Sequence, residues 1–466
     1  MKVGGGKGLA QSSFNTNERT IRTGETRDMG NGLFGIRYNI EKANRTDGRV
    51  QNLAHYIKEE TLKEAHRKMD AKKALGWDNV SKEEYGVNLD ANLEHLVDRM
   101  KRGSYQPEPS RRTYIPKEGN PKGRPLGISC YEDKLVENVI ARILGEVYEP
   151  KFLDVSYGFR PQRNCHGAIR EIIEMVQYRK TSYVVEADIK SFFDSVDHTW
   201  LIKFLEHDIA DRRFIEIIQK FLDAGIMEEG KFLNKEKGVP QGNGASPVLA
   251  NVYLHYVLDL WFEKRVKRES RGEAYLIRYC DDFVCCFQYE SDAKKFYDDL
   301  IERFAKFGLE IAEDKTKILE FGRFAKKNRE ARGQGKPETF DFLGFTFYCG
   351  TDSWKRFFRC RVKSSRKRMR RKIKETKEWI KRNRTLPVSE LIKKLNQKLQ
   401  GYYQYYAVTD NLKEVKRYLT AVTWLLYKWL NRRSQRRSYT IDTFFNGLLR
   451  SNPLVEPRVK VSLFYR

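Results

Sequence analysis

Tyr279-Cys280-Asp281-Asp282 lies between two runs rich in β-forming residues, Ala274-Tyr275-Leu276-Ile277 before it and Phe283-Val284-Cys285-Cys286-Phe287 after it. The pattern predicts a tight hairpin with carboxylates at its tip. Asp tolerates the left-handed backbone of a short turn, so turn geometry by itself accounts for one of the two acids. It does not account for both. Adjacent carboxylates repel unless a cation lies between them, and a pair at a strand turn is a ligand set suited to magnesium.

Upstream, Tyr183-Val184-Val185-Glu186-Ala187-Asp188 reads as a buried strand ending in an acid, followed by Ile189-Lys190-Ser191-Phe192-Phe193-Asp194. Laid beside the 279–282 hairpin, this strand would let Asp188 and Asp281 bridge two ions roughly 3.5–4 Å apart, an arrangement that activates a 3′-hydroxyl and steadies a departing pyrophosphate. Asp194 and Asp197 read as caps for a helix starting near His198.

Asp188 with Phe192-Phe193, then Val239-Pro240-Gln241-Gly242-Asn243, then Tyr279-Cys280-Asp281-Asp282, in this order, resembles the core of a reverse transcriptase of the group II intron-encoded type. The resemblance spans roughly residues 60–435, and the co-occurrence of its motifs is far more specific than any one of them. It implies an α+β right-hand polymerase with fingers, an antiparallel-sheet palm and a helical thumb. It also implies Mg2+ as cofactor, with Asp188, Asp281 and Asp282 as the catalytic acids and Ile189 added to the metal set.

Bulk properties fit a nucleic-acid partner. The 466 residues leave room for two to four domains. A formal charge of +26, from 89 basic against 63 acidic residues, calls for an anionic partner. Residues 351–440 hold 27 Lys and Arg against 6 Asp and Glu, so one region carries most of the excess, unlike an evenly solvated cationic surface. The seven cysteines show no CxxC pairing and no His at metal-ligand spacing, and read as reduced, mostly core residues. No secretory leader or membrane-length apolar run is evident, so a cytoplasmic protein is expected.

Taken in order, residues 1–50 hold nine glycines and show no clear period, and are expected to be poorly ordered or extended. A helical period starts near Val50 with Leu53, Ile57, Leu62 and Ala65, and a second helix follows, capped by Asn88 or Asp90. Arg111 to Ile128 reads as a hairpin with a Gly- and Pro-rich tip. Its Lys117, Lys122 and Arg124 suit a triphosphate, because Arg forks onto phosphate oxygens and Lys supplies a point charge; a solvated basic turn is the bland alternative. Resemblance to the fingertip hairpin of group II intron enzymes favours the triphosphate.

Ser156-Tyr157-Gly158-Phe159-Arg160-Pro161 reads as an ordinary Gly/Pro loop. In the resembled family it runs along template and primer, which makes Arg160 a candidate backbone contact. Phe193 follows Asp188 by five positions, a spacing that in the resembled enzymes puts a ring beneath the sugar of the incoming nucleotide and excludes a 2′-hydroxyl. Phe192 reads as core. Gly238 to Pro247 is a turn-rich loop opening a helix, with Ser246 as N-cap and Pro247 at the first helical position. Gln241 and its small neighbours let backbone approach a base pair closely. Asn243 and Ala245 depart from the family pattern, which leaves fidelity and nucleotide affinity open. Cys280 stands where Ala is commoner. Leu309 to Ile318 resembles the next family block, in which Lys315 lies near the leaving phosphates, and Phe340 to Phe347 alternates as a strand resembling the primer-holding turn.

Arg361 to Arg384 packs thirteen Lys or Arg residues, and Arg366, Lys367, Arg370 and Arg371 are the candidate nucleic-acid contacts. Two more helices follow, with Tyr402, Tyr403, Tyr405, Tyr406 and Trp424 expected mainly as inter-helix core. The stretch resembles the thumb, or maturase region, of intron-encoded enzymes. The implied division is an N-terminal extension (1–50), fingers with part of the palm (51–180), palm (181–348), thumb or maturase region (349–437) and a short tail (438–466), without the HNH endonuclease of longer relatives. The expected partners are an RNA template, a DNA or RNA primer, deoxynucleoside triphosphates and a structured intron RNA. Two other readings stay open: a host-adopted reverse transcriptase in DNA repair or phage defence, and a non-enzymatic RNA-binding maturase.

Overall fold

The β-branched and aromatic runs of the sequence become eleven strands among the residues that the computed structural model describes, which are 33–464 except 34, 45–47, 118–119, 235, 353 and 355, and except the side chains of 44, 117 and 120–122. The strands are β1 (Ser110–Lys117), β2 (Asn120–Ile128), β3 (Tyr183–Asp188), β4 (Ile226–Glu228), β5 (Lys231–Leu233), β6 (Ala274–Tyr279), β7 (Asp282–Phe287), β8 (Lys317–Glu320), β9 (Phe340–Phe342), β10 (Phe345–Thr351) and β11 (Phe358–Ser364). The chain divides into two units, each assembled from three stretches. One takes residues up to Leu153 with Lys190–Leu258 and Phe304–Leu309; the other takes Asp154–Ile189, Asp259–Arg303 and the residues from Glu310 on. Both mix helices with antiparallel strand pairs, so the expected α+β class holds.

In the first unit the hairpin of β1 and β2 is antiparallel, with Ile115 opposite Arg124. Gly123 is obligatory there: its φ is 82°, and a Cβ would stand 2.6 Å from the Ile115 carbonyl oxygen. β4 joins β1 in parallel and β5 closes the order β2-β1-β4-β5. The Tyr131–Tyr148 helix buries Leu135, Val139, Ile143 and Val147 along one stripe.

Several local expectations are corrected. The helical period expected from Val50 is broken in two: a short 3-10 turn at Ala54–Tyr56, at whose start the Asp211 carboxylate accepts the Leu53 and Ala54 amides at 2.6 and 2.8 Å, and an α-helix that begins only at Glu59. Of the segment expected to be poorly ordered or extended, residues 1–32 lie outside the described residues, while Ile36–Asn44 is a helix that buries Ile36, Ile40 and Ala43. Asp197 caps its helix through the Trp200 amide, but Asp194 sits in the Phe192–Ser195 turn, 3.8 Å from Arg112. Ala245, not Ser246, is the N-cap of the Ser246–Leu254 helix, since the Ser246 hydroxyl is spent on the Pro240 carbonyl at 2.7 Å.

The second unit is built on a four-stranded antiparallel sheet, β6-β7-β3-β8, and a three-stranded antiparallel sheet, β11-β10-β9. One continuous core joins Ile169, Ile172 and Val176 of the Cys165–Tyr178 helix to Val184, Ile277 and Val284 of the first sheet and Phe340 and Phe347 of the second. The same core continues into the Val388–Tyr406 and Leu412–Leu430 helices, where Tyr402 stacks on Tyr418 at 3.9 Å and on Tyr406 at 4.6 Å. Tyr402, Tyr403 and Tyr406 are therefore core, as expected. Trp424 is not: it is 47% exposed, since it lies two residues from buried Val422 and Leu426 and so on the other side of the helix. Val461 bridges Val408 and Leu463 is buried, so the residues after 452 return to this core. Among the described residues no helix is long and apolar enough to cross a membrane.

Candidate active site

Within the second unit, Val184, Val185 and Ala187 are buried in β3, which ends at Asp188. Asp188 lies directly opposite Asp282, the first residue of β7. β6 and β7 pair Tyr279 with Asp282, leaving Cys280 and Asp281 as a two-residue turn with Cys280 at φ 59°. The hairpin and the strand of the sequence reading are thus neighbours, and all three acids gather at one end of the sheet. Ile189 is buried just past β3 and can offer an ion only its backbone carbonyl. Its bridge to Ile311 and the Ala312 amide on the Asp188 carbonyl, 2.8 Å, carry the pairing one step beyond the strand.

Electrostatics at this end favour a cation. Asp282 lines a cavity of about 560 Å³, and its carboxyl is pushed up to about 6, first by its enclosure and then by Asp281 and Asp188. Lys315 Nζ lies 2.5 Å from Asp188 Oδ2, and this contact raises the Lys315 ammonium. Glu186 is pushed up to about 7 by burial and by Asp341. Three carboxylates are the oxygen donor set Mg2+ takes, and a divalent ion would relieve the repulsion felt at Asp282. Among the described residues no three His, Cys, Asp or Glu side chains are close enough to form a ready-made ion site. In this structure the Lys315 ammonium is the cation on Asp188.

A buried ion pair that sequence reading missed holds the turn. Arg278 and Asp259 are both fully buried, and the guanidinium forks onto the carboxylate at 2.7 and 2.6 Å. The same guanidinium donates to the Cys280 carbonyl at 3.0 Å and to Ser156 Oγ at 2.8 Å. Ser156 in turn bridges β6, and Gly158 packs so closely that a Cβ there would stand 2.6 Å from the Cys280 nitrogen. The available signal was a charge inside an otherwise apolar strand, one residue before the acidic motif.

Arg160 is 7% exposed and donates to the Ser156 carbonyl at 2.9 Å, so its guanidinium serves its own loop. Arg366, Lys367, Arg370 and Arg371 are exposed on the Arg366–Asn383 helix. Arg371 also lines the cavity of Asp282, together with Arg368, Lys398, Tyr402 and Tyr405. Arg368, absent from the sequence candidates, acts to lower the Asp282 carboxyl.

The remaining candidates belong to the first unit. Arg124 is exposed on β2, while the side chains of Lys117 and Lys122 lie outside the described residues. Phe192 is buried and meets Phe193 edge-on at 5.4 Å; Phe193 is half-buried, and its carbonyl accepts the Val239 amide at 2.7 Å. Gln241 is half-buried, and its carbonyl accepts the Gly127 amide at 2.7 Å. Gly242, at φ 104°, would put a Cβ 2.9 Å from the Gly127 carbonyl oxygen, so this approach requires glycine.

The reverse transcriptase (RNA-dependent DNA polymerase) family matches residues 115–347, half of the chain, and the maturase-specific domain of group II introns matches residues 366–443. The group II intron-encoded protein LtrA of Lactococcus lactis subsp. cremoris is 42% identical over 182 residues, 38% of this chain and 30% of its own length. Protein YkfC of Escherichia coli K12 is 35% identical over 268 residues, 51% of this chain and 70% of its own. A telomerase structure from Candida albicans aligns over 79% of this chain and 66% of its own, with a TM-score of 0.42 and 11% identity. The chain belongs to the reverse transcriptase family, in its group II intron-encoded branch, with the α+β right-hand polymerase fold that this membership carries.

Proposed function

We propose that the protein is an RNA-directed DNA polymerase of the group II intron type. The observation that carries this reading is the placement of Asp188 opposite Asp282, with Asp281 in the adjoining turn and Lys315 on Asp188. The primer 3′-oxygen attacks the α-phosphorus of a deoxynucleoside triphosphate, its proton passes to solvent, and the bond to pyrophosphate breaks. Bound Mg2+ would lower the pKa of the attacking hydroxyl and neutralise the departing charge. Asp188, Asp281, Asp282 and the Ile189 carbonyl would hold it. Lys315 balances the carboxylates before substrate arrives and then turns to the phosphates. Lys117, Lys122 and Arg124 bind the triphosphate, Gln241 lies along the nascent pair, and Phe193 excludes the 2′-hydroxyl.

Fingers (51–180), palm (181–348) and a basic thumb (349–437) are the assigned functional regions. The exposed Arg366, Lys367, Arg370 and Arg371 grip the template–primer duplex by its phosphates, while the buried Arg160 braces its own loop instead of reaching that duplex. The maturase-region match supports a structured intron RNA as a further partner, with a role in splicing and retrohoming in the cytoplasm.

The test is primer extension on an RNA template with and without Mg2+. Asp281→Asn should lower extension by on the order of 10²–10³-fold while leaving RNA affinity within about twofold. Equal extension by variant and wild type removes the assigned site.

A further inference from the structure

Beneath the Gln241 loop lies a carboxylate to which the polymerase reading gives no role. Glu137, on the Tyr131–Tyr148 helix, is 1% exposed. Three donors converge on it: Ser129 Oγ at 2.5 Å and Asn243 Nδ2 at 2.6 Å on Oε1, and the Gly244 amide at 3.0 Å on Oε2. Asn243 completes the brace with its own oxygen, which accepts the Ala245 amide at 2.9 Å. The carboxylate therefore touches two elements at once. Ser129 immediately follows β2, the strand of Arg124, and residues 243–245 continue the loop of Gln241. The same two elements also meet through the Gly127 amide on the Gln241 carbonyl. A carboxyl group buried this deeply is costly unless its hydrogen bonds are made, and here both oxygens have partners.

We propose that Glu137 is a positioning residue for nucleotide binding, which through Asn243, Gly244 and Ser129 locks the Gln241 loop to the end of the triphosphate hairpin. The proposal rests on the polymerase reading. It also gives Asn243, a departure from the family pattern, a function: its amide is the only side chain in the loop that bridges Glu137 to the Ala245 backbone among the described residues.

The donor pattern supplies the test. In Glu137→Gln the new amide keeps one oxygen for Gly244 and turns an N–H toward Asn243 Nδ2, donor against donor. Flipping Asn243 to meet it would strip the Ala245 amide of its acceptor. Asn243→Asp in the same chain reverses the sense, since one carboxylate oxygen accepts from the amide introduced at position 137 and the other from the Ala245 backbone. Steady-state primer extension should show KM for the deoxynucleotide raised roughly tenfold in Glu137→Gln, with kcat changed less than about threefold, and the Glu137→Gln/Asn243→Asp pair within about threefold of wild type. Should the single variant be insoluble, Asn243→Ala carries the same expected rise in KM. Unchanged KM in Glu137→Gln, or a pair no better than the single variant, overturns the proposal. Wild-type protein that extends no primer overturns the polymerase reading, and the nucleotide role with it, so the two failures are told apart by the wild-type control.

Discussion

Removing the Asp259 carboxylate tests whether the acidic turn is held from beneath. Asp259→Leu leaves the Arg278 guanidinium fully buried without its counter-ion, and losing one partner of such a pair costs about 3–5 kcal/mol. Replacing both partners, Arg278→Met with Asp259→Leu, removes the buried charge altogether. What remains is a Cys280 carbonyl and a Ser156 hydroxyl without the guanidinium, worth about 1–3 kcal/mol. The pair should therefore be more stable than the single variant, a strongly non-additive result. Urea unfolding followed by hydrogen exchange across 274–287 measures the order. Activity should follow a different order: the folded pair loses the tether on the Cys280 carbonyl, and primer extension falls roughly 10–100-fold, the cost of a catalytic group displaced by about 1 Å. A single variant within about 1 kcal/mol of wild type, or a pair that extends primers at the wild-type rate, refutes the clamp.

Other expectations follow from the same geometry. Phe193→Ala should admit ribonucleotides, read as incorporation of ribonucleotide against deoxynucleotide at one template position; unchanged sugar selection removes the gate. Neutralising Arg366, Lys367, Arg370 and Arg371 with Gln should flatten the dependence of log affinity on log salt by roughly 3.6, at about 0.9 per phosphate contact on a duplex, and an unaltered slope places the contacts elsewhere. Burial pushes Asp133 and Glu137 each up to about 7, against the opposing hydrogen bonds of Tyr105 and Glu108 on one and Ser129 and Gly244 on the other, with Lys134 beside them. The folded protein thus binds more protons than the unfolded chain between about pH 4.3 and about 7, and this contribution to stability is lost as pH rises through that window. The urea midpoint should fall from about pH 5.5 to about pH 8, and Glu137→Gln should shrink the fall without abolishing it; an identical fall in the variant contradicts the assignment.

The acids were legible in the linear chain because the β-forming run Tyr183–Asp188 ends in an acid, and because Tyr279-Cys280-Asp281-Asp282 has room for only a tight turn between two further β-forming runs. The basic helix was equally legible, since charge density needs no folding to be counted. Register was not legible. Only pairing could put Asp188 opposite Asp282 rather than Asp281, since a one-residue slip turns every side chain of a strand to the other face. Nor could the chain announce partners that lie far apart along it: Asp259 under Arg278, Glu137 under Asn243, Asp211 on the amides of Leu53 and Ala54. Local propensity placed one continuous helix from Val50 and a serine cap at residue 246; the structure breaks the first into a 3-10 turn and a later α-helix, and the Pro240 carbonyl takes the hydroxyl of the second. Composition and period therefore determined what kinds of element this protein has and where its charged chemistry lies. Tertiary structure decided which buried polar groups satisfy one another, because a hydrogen bond depends on distance in space and a sequence records only distance along the chain.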